Sequence, residues 1–193
     1  MSFSRVISIE RVPEVFQVKV EFRKRPEPGQ FVSLITPGPR EVPLSVGDWE
    51  DGTLTLFIES ERLAKSLGKY VYVKGPLGTP LELKGKKLIA IAYGNRIYDL
   101  NYVIKSAERK GMDVYVKCYE CSSKYPEPED LNADVVVASV PKEMLGLLPK
   151  GSLVYVRWAK MNCMVGVCGK CEINGRLACV EGPFLRWEDV VQG

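Results

Sequence analysis

The sequence predicts an α+β protein of three parts: an N-terminal antiparallel β-barrel, an α/β domain with a parallel sheet, and a C-terminal cysteine-rich module. Three observations carry this. Over residues 1–85, short β-branched, alternating runs are separated by Pro and Gly turns, the pattern of a small barrel. From Lys86, apolar strands alternate with helical segments, which implies parallel strands joined by right-handed crossovers. Four of the six cysteines fall within the last 35 residues. The parts divide at 1–85, 86–158 and 159–193.

The barrel strands are Val6 to Val12, Val15 to Phe22, Gln30 to Ile35, Leu54 to Ile58 and Tyr70 to Lys74. Within the barrel, Ser60 opens a run with Leu63, Ala64 and Leu67 at helical spacing, so one short helix is expected over Glu59 to Leu67 as a plug or cap. In the second part, Leu88 to Ala92 is an apolar strand and Ile97 to Lys110 a helix stopped by Gly111. Strands at Val114 to Cys118 and Asp134 to Ala138, a short helix over Pro141 to Leu148 and a strand at Leu153 to Val156 follow. Ser122 to Asp130, with Pro126 and Pro128, reads as a surface loop.

Composition narrows the chemistry. A formal charge of +3 in 193 residues, with both signs interspersed, is no nucleic-acid footprint. No apolar run of about 18 residues is present to span a membrane. The first ten residues lack a basic segment followed by an apolar one, so a cytoplasmic, reducing location is expected. The chain contains no histidine, which removes Ser-His and Cys-His nucleophile pairs, imidazole metal ligands and a Rieske centre. In a reducing compartment, spaced cysteines bind metal or do redox work more often than they form structural disulfides.

Cys163, Cys168, Cys171 and Cys179 give C-x4-C-x2-C-x7-C, whose first three members have the spacing of plant-type 2Fe-2S ferredoxins. Gly166 and Gly169 let the loop turn its N-H groups towards sulfur, and Lys160 and Lys170 would offset the cluster's negative charge. Asn174-Gly175 marks a hairpin turn that returns the chain for the fourth ligand. A three-residue bulged turn, with Gly175 left-handed and Cys171 opposite Leu177, would put Cys171 and Cys179 on one face. The competing reading is a structural zinc site, although zinc ribbons usually pair two C-x2-C knuckles and this module has one. Cys118 and Cys121 form a separate C-x2-C at a strand end, read as small buried residues, with a disulfide or redox pair as the alternative.

From Met161 to Phe184, the residues MNCMVGVCGKC and NGRLACVEGPF resemble the iron-sulfur segment of the electron-transfer subunit of type B dihydroorotate dehydrogenase, within the ferredoxin-NADP reductase group. Pro28-Gly29-Gln30-Phe31-Val32, Pro43-Leu44-Ser45 and Gly75-Pro76-Leu77-Gly78 are similar to that group's flavin-side segments. The resemblance implies FAD beside Pro43, Leu44, Ser45, Gly75, Pro76, Leu77 and Gly78, and a 2Fe-2S cluster on the four cysteines. It implies a redox subunit in a hetero-oligomer rather than a stand-alone catalyst. The partner would be the catalytic dihydroorotate dehydrogenase subunit of pyrimidine biosynthesis, met near Met161, Met164 and Val165. A hydrogenase or another oxidoreductase as partner, or a nucleotide-free cluster-bearing interaction module, is the alternative.

The chain departs from the group in three places. Val42 stands where many members carry Arg, with Arg40 two residues earlier. Glu59-Ser60-Glu61-Arg62 replaces a glycine-rich phosphate turn, and its two carboxylates would repel phosphate. A single glycine, Gly94, follows the strand where a dinucleotide site needs several, so NAD(H) binding is expected to be weakened or lost.

Overall fold

The computed structural model describes residues 2–36 and 40–191. Arg40 contributes backbone to a strand, and its side chain lies outside the described residues. Six strands close an antiparallel barrel in the order β1-β2-β5-β4-β3-β6: β1 (Ser2–Val12), β2 (Val15–Glu21), β3 (Phe31–Thr36), β4 (Arg40–Glu50), β5 (Thr53–Ile58) and β6 (Tyr70–Leu77). Val18, Val20, Leu34, Leu54, Leu56 and Val73 fill its interior and are fully shielded from solvent. Helix α1 (Glu61–Ser66) caps the barrel, opened by Ser60, whose Oγ accepts from the Leu63 N-H, and it buries Ala64.

The sequence pattern missed β4 and, later in the chain, the strand Phe184–Arg186. The apolar residues of β4 are interrupted by Pro43, Gly47 and Asp48, so no period-2 run marks it. Residues Arg40 to Ser45 pair with β3, a bulge follows between Val46 and Asp48, and the remainder pairs with β5. Pro43 lies in the half that pairs with β3 alone, an edge-like position of the kind in which strand prolines occur.

The second sheet has the order β13-β10-β9-β7-β8, from β7 (Lys87–Tyr93), β8 (Asp113–Tyr119), β9 (Val135–Ser139), β10 (Leu153–Tyr155) and β13 (Phe184–Arg186). Pairs among β7 to β10 are parallel, whereas β13 adds antiparallel to β10. Leu88 to Ala92 are all buried, the continuous apolar run expected of a strand covered on both faces. One face packs on Leu100, Val103, Ile104 and Ala107 of helix α2 (Ile97–Arg109). The other receives Leu145 and Leu148, from the 3-10 turn Lys142–Leu147 and its end, with Trp187 and Val190 of helix α3 (Trp187–Val191). That 3-10 turn stands where the sequence pattern called for a short helix.

α2 also joins the two sheets. Asn101 Nδ2 donates to the Gly47 carbonyl at 2.8 Å, and Lys105 Nζ and Arg109 Nη1 donate to Asp48 at 2.6 and 2.9 Å. Tyr102 reaches into the barrel core and donates to the Pro26 carbonyl at 2.6 Å.

Candidate functional site

Between β10 and β13 the chain leaves the sheet for the cysteine segment and then returns. Val156, Met164, Cys171, Ala178, Cys179 and Leu185 pack with Phe31 of β3 into a small core of their own. The Asn174-Gly175 turn connects β11 (Glu172–Ile173) and β12 (Arg176–Leu177), with both turn residues left-handed at φ 48° and 82°. Glu172 pairs with Leu177 and Ile173 with Arg176, so the loop has two residues and the expected three-residue bulge is not formed. The error lay in extending the strands. They end at Leu177, where the Val180 and Glu181 N-H groups both donate to its carbonyl, and this turn brings Cys179 back to Cys171 without strand alternation.

The four thiols lie in two pairs. Cys171 Sγ and Cys179 Sγ are 3.2 Å apart and buried. Cys163 Sγ accepts from the Cys168 N-H at 3.4 Å, with Cys163 half-buried and Cys168 exposed. N-H groups of Val165, Cys168 and Val167, with the Cys168 thiol, draw the Cys163 thiol down to about 6, whereas burial and the Cys171 thiol push Cys179 up to about 11. Gly166, at φ 79°, crosses Val180 so closely that a Cβ would stand 2.7 Å from its Cγ2. Among the described residues, no group of three His, Cys, Asp or Glu side chains is placed to hold a metal ion. Two thiol pairs side by side, one with N-H groups aimed at its sulfur, are a donor set suited to a two-iron cluster.

Of the expected partner-facing residues, Met164 is 1% exposed and belongs to the segment's core. Val165 is exposed, as are Val167 at 83% and Val180 at 44%, so the outward apolar surface is made by valines.

Pro43, Leu44 and Ser45 line a cavity of about 90 Å3 with Phe57, Val156, Ala159 and Met161. Gly75, Pro76, Leu77 and Gly78 do not line it. Leu77 packs with the cysteine core, and a Cβ on Gly78 would meet the Gly182 carbonyl at 2.3 Å, so this loop seats the cysteine segment. Thr79 secures it, donating through N-H to Gly182 and through Oγ1 to Val180, each at 2.8 Å.

The polar end of the cavity joins Ser45 to Asp99 and Arg157, two residues that the sequence reading passed over. Ser45 Oγ donates to Asp99 Oδ1 at 3.2 Å and Ser139 Oγ to Asp99 Oδ2 at 2.8 Å. Burial raises the Asp99 carboxyl, against the pull of Arg157, both serines and Arg96. Arg157 lies 3.7 Å from Asp99 through Nε, donates to Asn95 Oδ1 at 3.2 Å and bonds Glu59, which itself does not line the cavity. One signal was present in the sequence: Asp99 is a carboxylate next to Leu100 on the buried stripe of an amphipathic helix. The lining offers apolar walls with a few polar groups, which suits a flat conjugated ring. Its volume is below the roughly 300 Å3 of common cofactor sites while Arg157 holds Glu59.

At the carboxyl end of the parallel sheet, Gly94 (φ 54°) turns β7 through a 3-10 turn, Gly94–Arg96, into α2. Arg96 Nη1 donates to the Val140 carbonyl at 3.3 Å, and so is engaged with protein. Cys118 and Cys121 are joined as a disulfide, the alternative to the small-residue reading. A larger cavity, of about 850 Å3, is lined by Leu81, Val136, Leu153 and Phe184 and contains none of the expected site residues.

A closed six-stranded barrel followed by a parallel sheet is the ferredoxin reductase type of fold. The chain aligns with the NADH-dependent reduced ferredoxin-NADP oxidoreductase at a TM-score of 0.77 and 18% identity, covering 98% of this chain and 90% of that one. With phthalate dioxygenase reductase the values are 0.63 and 13%, over 85% and 70%. In sequence, the chain is similar over most of its length to proteins described as "probable dihydroorotate dehydrogenase B (NAD(+)), electron transfer subunit". Identity is 26% with that of Methanopyrus kandleri, over 93% of this chain and 86% of the relative. It is 25% with that of Pyrococcus furiosus, over 97% and 92%, and 26% with that of Archaeoglobus fulgidus, over 96% and 97%. No protein-family model matches the chain.

Proposed function

We propose that this protein is the electron-transfer subunit of a dihydroorotate dehydrogenase complex, passing electrons between a flavin and a catalytic partner subunit. The observation that carries this reading is the shared wall of two sites. Met161 closes the cavity beside Pro43, Leu44 and Ser45, and Cys163 follows two residues later.

In this reading Cys163, Cys168, Cys171 and Cys179 hold a 2Fe-2S cluster and complete the C-terminal module. Pro43, Leu44 and Ser45 hold the ring of FAD. Gly75, Pro76, Leu77 and Gly78 end β6 beside that strand pair and fix its distance from the cysteine segment. When bound, the flavin exchanges electrons in pairs or singly and the cluster carries them singly. The chain's own contribution is positional. Phe57, Met161 and Val156 exclude water from the ring cavity, Ser45 offers a hydroxyl held by Asp99, and Arg157 must leave Glu59 to admit the ring. The valine surface of Val165, Val167 and Val180 faces the catalytic subunit, because single-electron transfer needs the exposed thiol pair close to its acceptor.

The cavity's small volume and the Arg157-Glu59 pair favour a second reading, a cluster-bearing subunit without flavin of its own. One experiment separates the two. Anaerobically purified protein is assayed for iron, acid-labile sulfide and flavin, with visible spectra before and after reduction. Two iron, two sulfide and one FAD per chain, all bleaching, support the relay; iron and sulfide without flavin support the second reading; a colourless zinc protein overturns both. Co-purification with a dihydroorotate dehydrogenase catalytic subunit tests the partner.

A further inference from the structure

We propose that Cys118 and Cys121 form a redox-active disulfide that exchanges with a dithiol reductant, at the edge where an α/β sheet receives its ligands. The pair closes the end of β8, where Ala92 pairs with Cys118 and Tyr93 with Tyr119 just before the Gly94 turn. Ligands of open α/β sheets bind outside the carboxyl ends of the strands, and here that edge holds a cavity of about 450 Å3. Cys121 lines the cavity with Gly94, Asn95, Tyr98, Glu14 and Glu120, whereas Cys118 does not reach it. Both cysteines are half-buried, so the sulfurs are neither sealed in the core nor free in solvent.

A structural staple is a poor account of this bond. With only two residues between its ends, it constrains the unfolded chain little, since stabilisation grows with loop length. C-x2-C is instead the spacing of thiol-disulfide exchange. The step balances as follows. A thiolate of the donor attacks Cys121 Sγ, forming a mixed disulfide and releasing Cys118 as a thiolate that takes a proton. The donor's second thiol then attacks its own bonded sulfur, leaving as an internal disulfide and freeing Cys121 as a thiol. Two electrons and two protons pass to the pair.

The test uses the full chain with its cluster, equilibrated anaerobically in graded ratios of reduced to oxidised dithiothreitol, then alkylated and read peptide by peptide. The Cys118 and Cys121 peptides are expected to become alkylated together along one two-electron curve and to revert on reoxidation. In C118S the lone Cys121, which lines the cavity, should release thionitrobenzoate from dithiobis(nitrobenzoate) at least about tenfold faster than Cys118 does in C121S. A bond that resists a large excess of dithiol until guanidinium unfolds the chain would overturn the proposal, as would two thiols that stay reduced at every ratio.

Discussion

Lys74 Nζ donates to the carbonyl oxygen of Cys163 at 3.0 Å, tying the last strand of the barrel to the first cysteine of the C-terminal segment. The same ammonium pairs with Glu41 Oε1 at 2.8 Å, and Glu41 also accepts from Ser33 Oγ at 2.7 Å. Lys74 is thus held by β3 and β4 while it grips the loop.

Replacing it should loosen that loop. K74M is expected to lower stability by about 1 kcal/mol and to hasten iron loss to a chelator several-fold, leaving the far-ultraviolet spectrum unchanged. K74R, whose wider guanidinium keeps the charge, should recover part of the retention. Equal chelation rates in all three proteins would show that the contact does not hold the loop.

Serine substitution should sort the cysteines. C171S or C179S removes a member of the buried pair and is expected to abolish the 2Fe-2S absorption bands. C118S and C121S should keep full iron and sulfide content. Retention of the bands in C179S would place the fourth ligand elsewhere.

Freeing Arg157 should admit a ring. E59Q removes the charge paired with Arg157, a residue of the cavity lining, so equilibrium binding of FAD, followed by quenching of its fluorescence, is expected to tighten by about tenfold. R157A, which also leaves Asp99 without its nearest cation, should lower thermal stability as well. Unchanged binding in both variants would favour the reading without flavin.

Asp48 supplies a pH dependence. Burial works to raise its carboxyl, but hydrogen bonds and charge from Lys105 and Arg109 prevail and hold it below the ordinary carboxylate range. A lowered folded value means that the pair stabilises the fold above the unfolded value, roughly 3.9, and that this contribution fades as pH falls through the folded value. D48N should cost about 2 kcal/mol at neutral pH, discounted because both bases are about two-fifths exposed. Denaturant midpoints of the two proteins should converge below pH 4; a constant difference would contradict the linkage.

Much of this arrangement was legible because it rests on local pattern. The apolar run Leu88 to Ala92 and the stripe of Ile97, Leu100, Val103 and Ile104 mark a buried strand and its crossover helix by period alone. The cysteines were picked out by their spacing, and the structure brings Cys171 Sγ and Cys179 Sγ, eight residues apart, to 3.2 Å. β4 was not, since its pairing switches from β3 to β5 between Ser45 and Val46, a bulge follows at Gly47, and no single face repeats. The turn at Asn174-Gly175 was foreseen, but its register depended on the chain bending after Leu177, a tertiary outcome. Likewise, Arg157 meets Glu59 and Asp99 across separations of 98 and 58 residues, beyond any local window.

The cysteine segment begins and ends on adjacent antiparallel strands. Tyr155 pairs with Phe184, and the Val156 N-H donates to the Pro183 carbonyl at 2.9 Å. In architectural terms it is a detour within a hairpin rather than a tail on a tether. A tethered tail could swing between docking partners; a detour pinned at both ends keeps its thiols at a fixed distance from the barrel. The same closure makes the segment removable. A two-residue turn spliced between Val156 and Pro183 would leave β10 and β13 as an ordinary hairpin, so the scaffold could be inherited, or engineered, with its cysteine-bearing part excised whole.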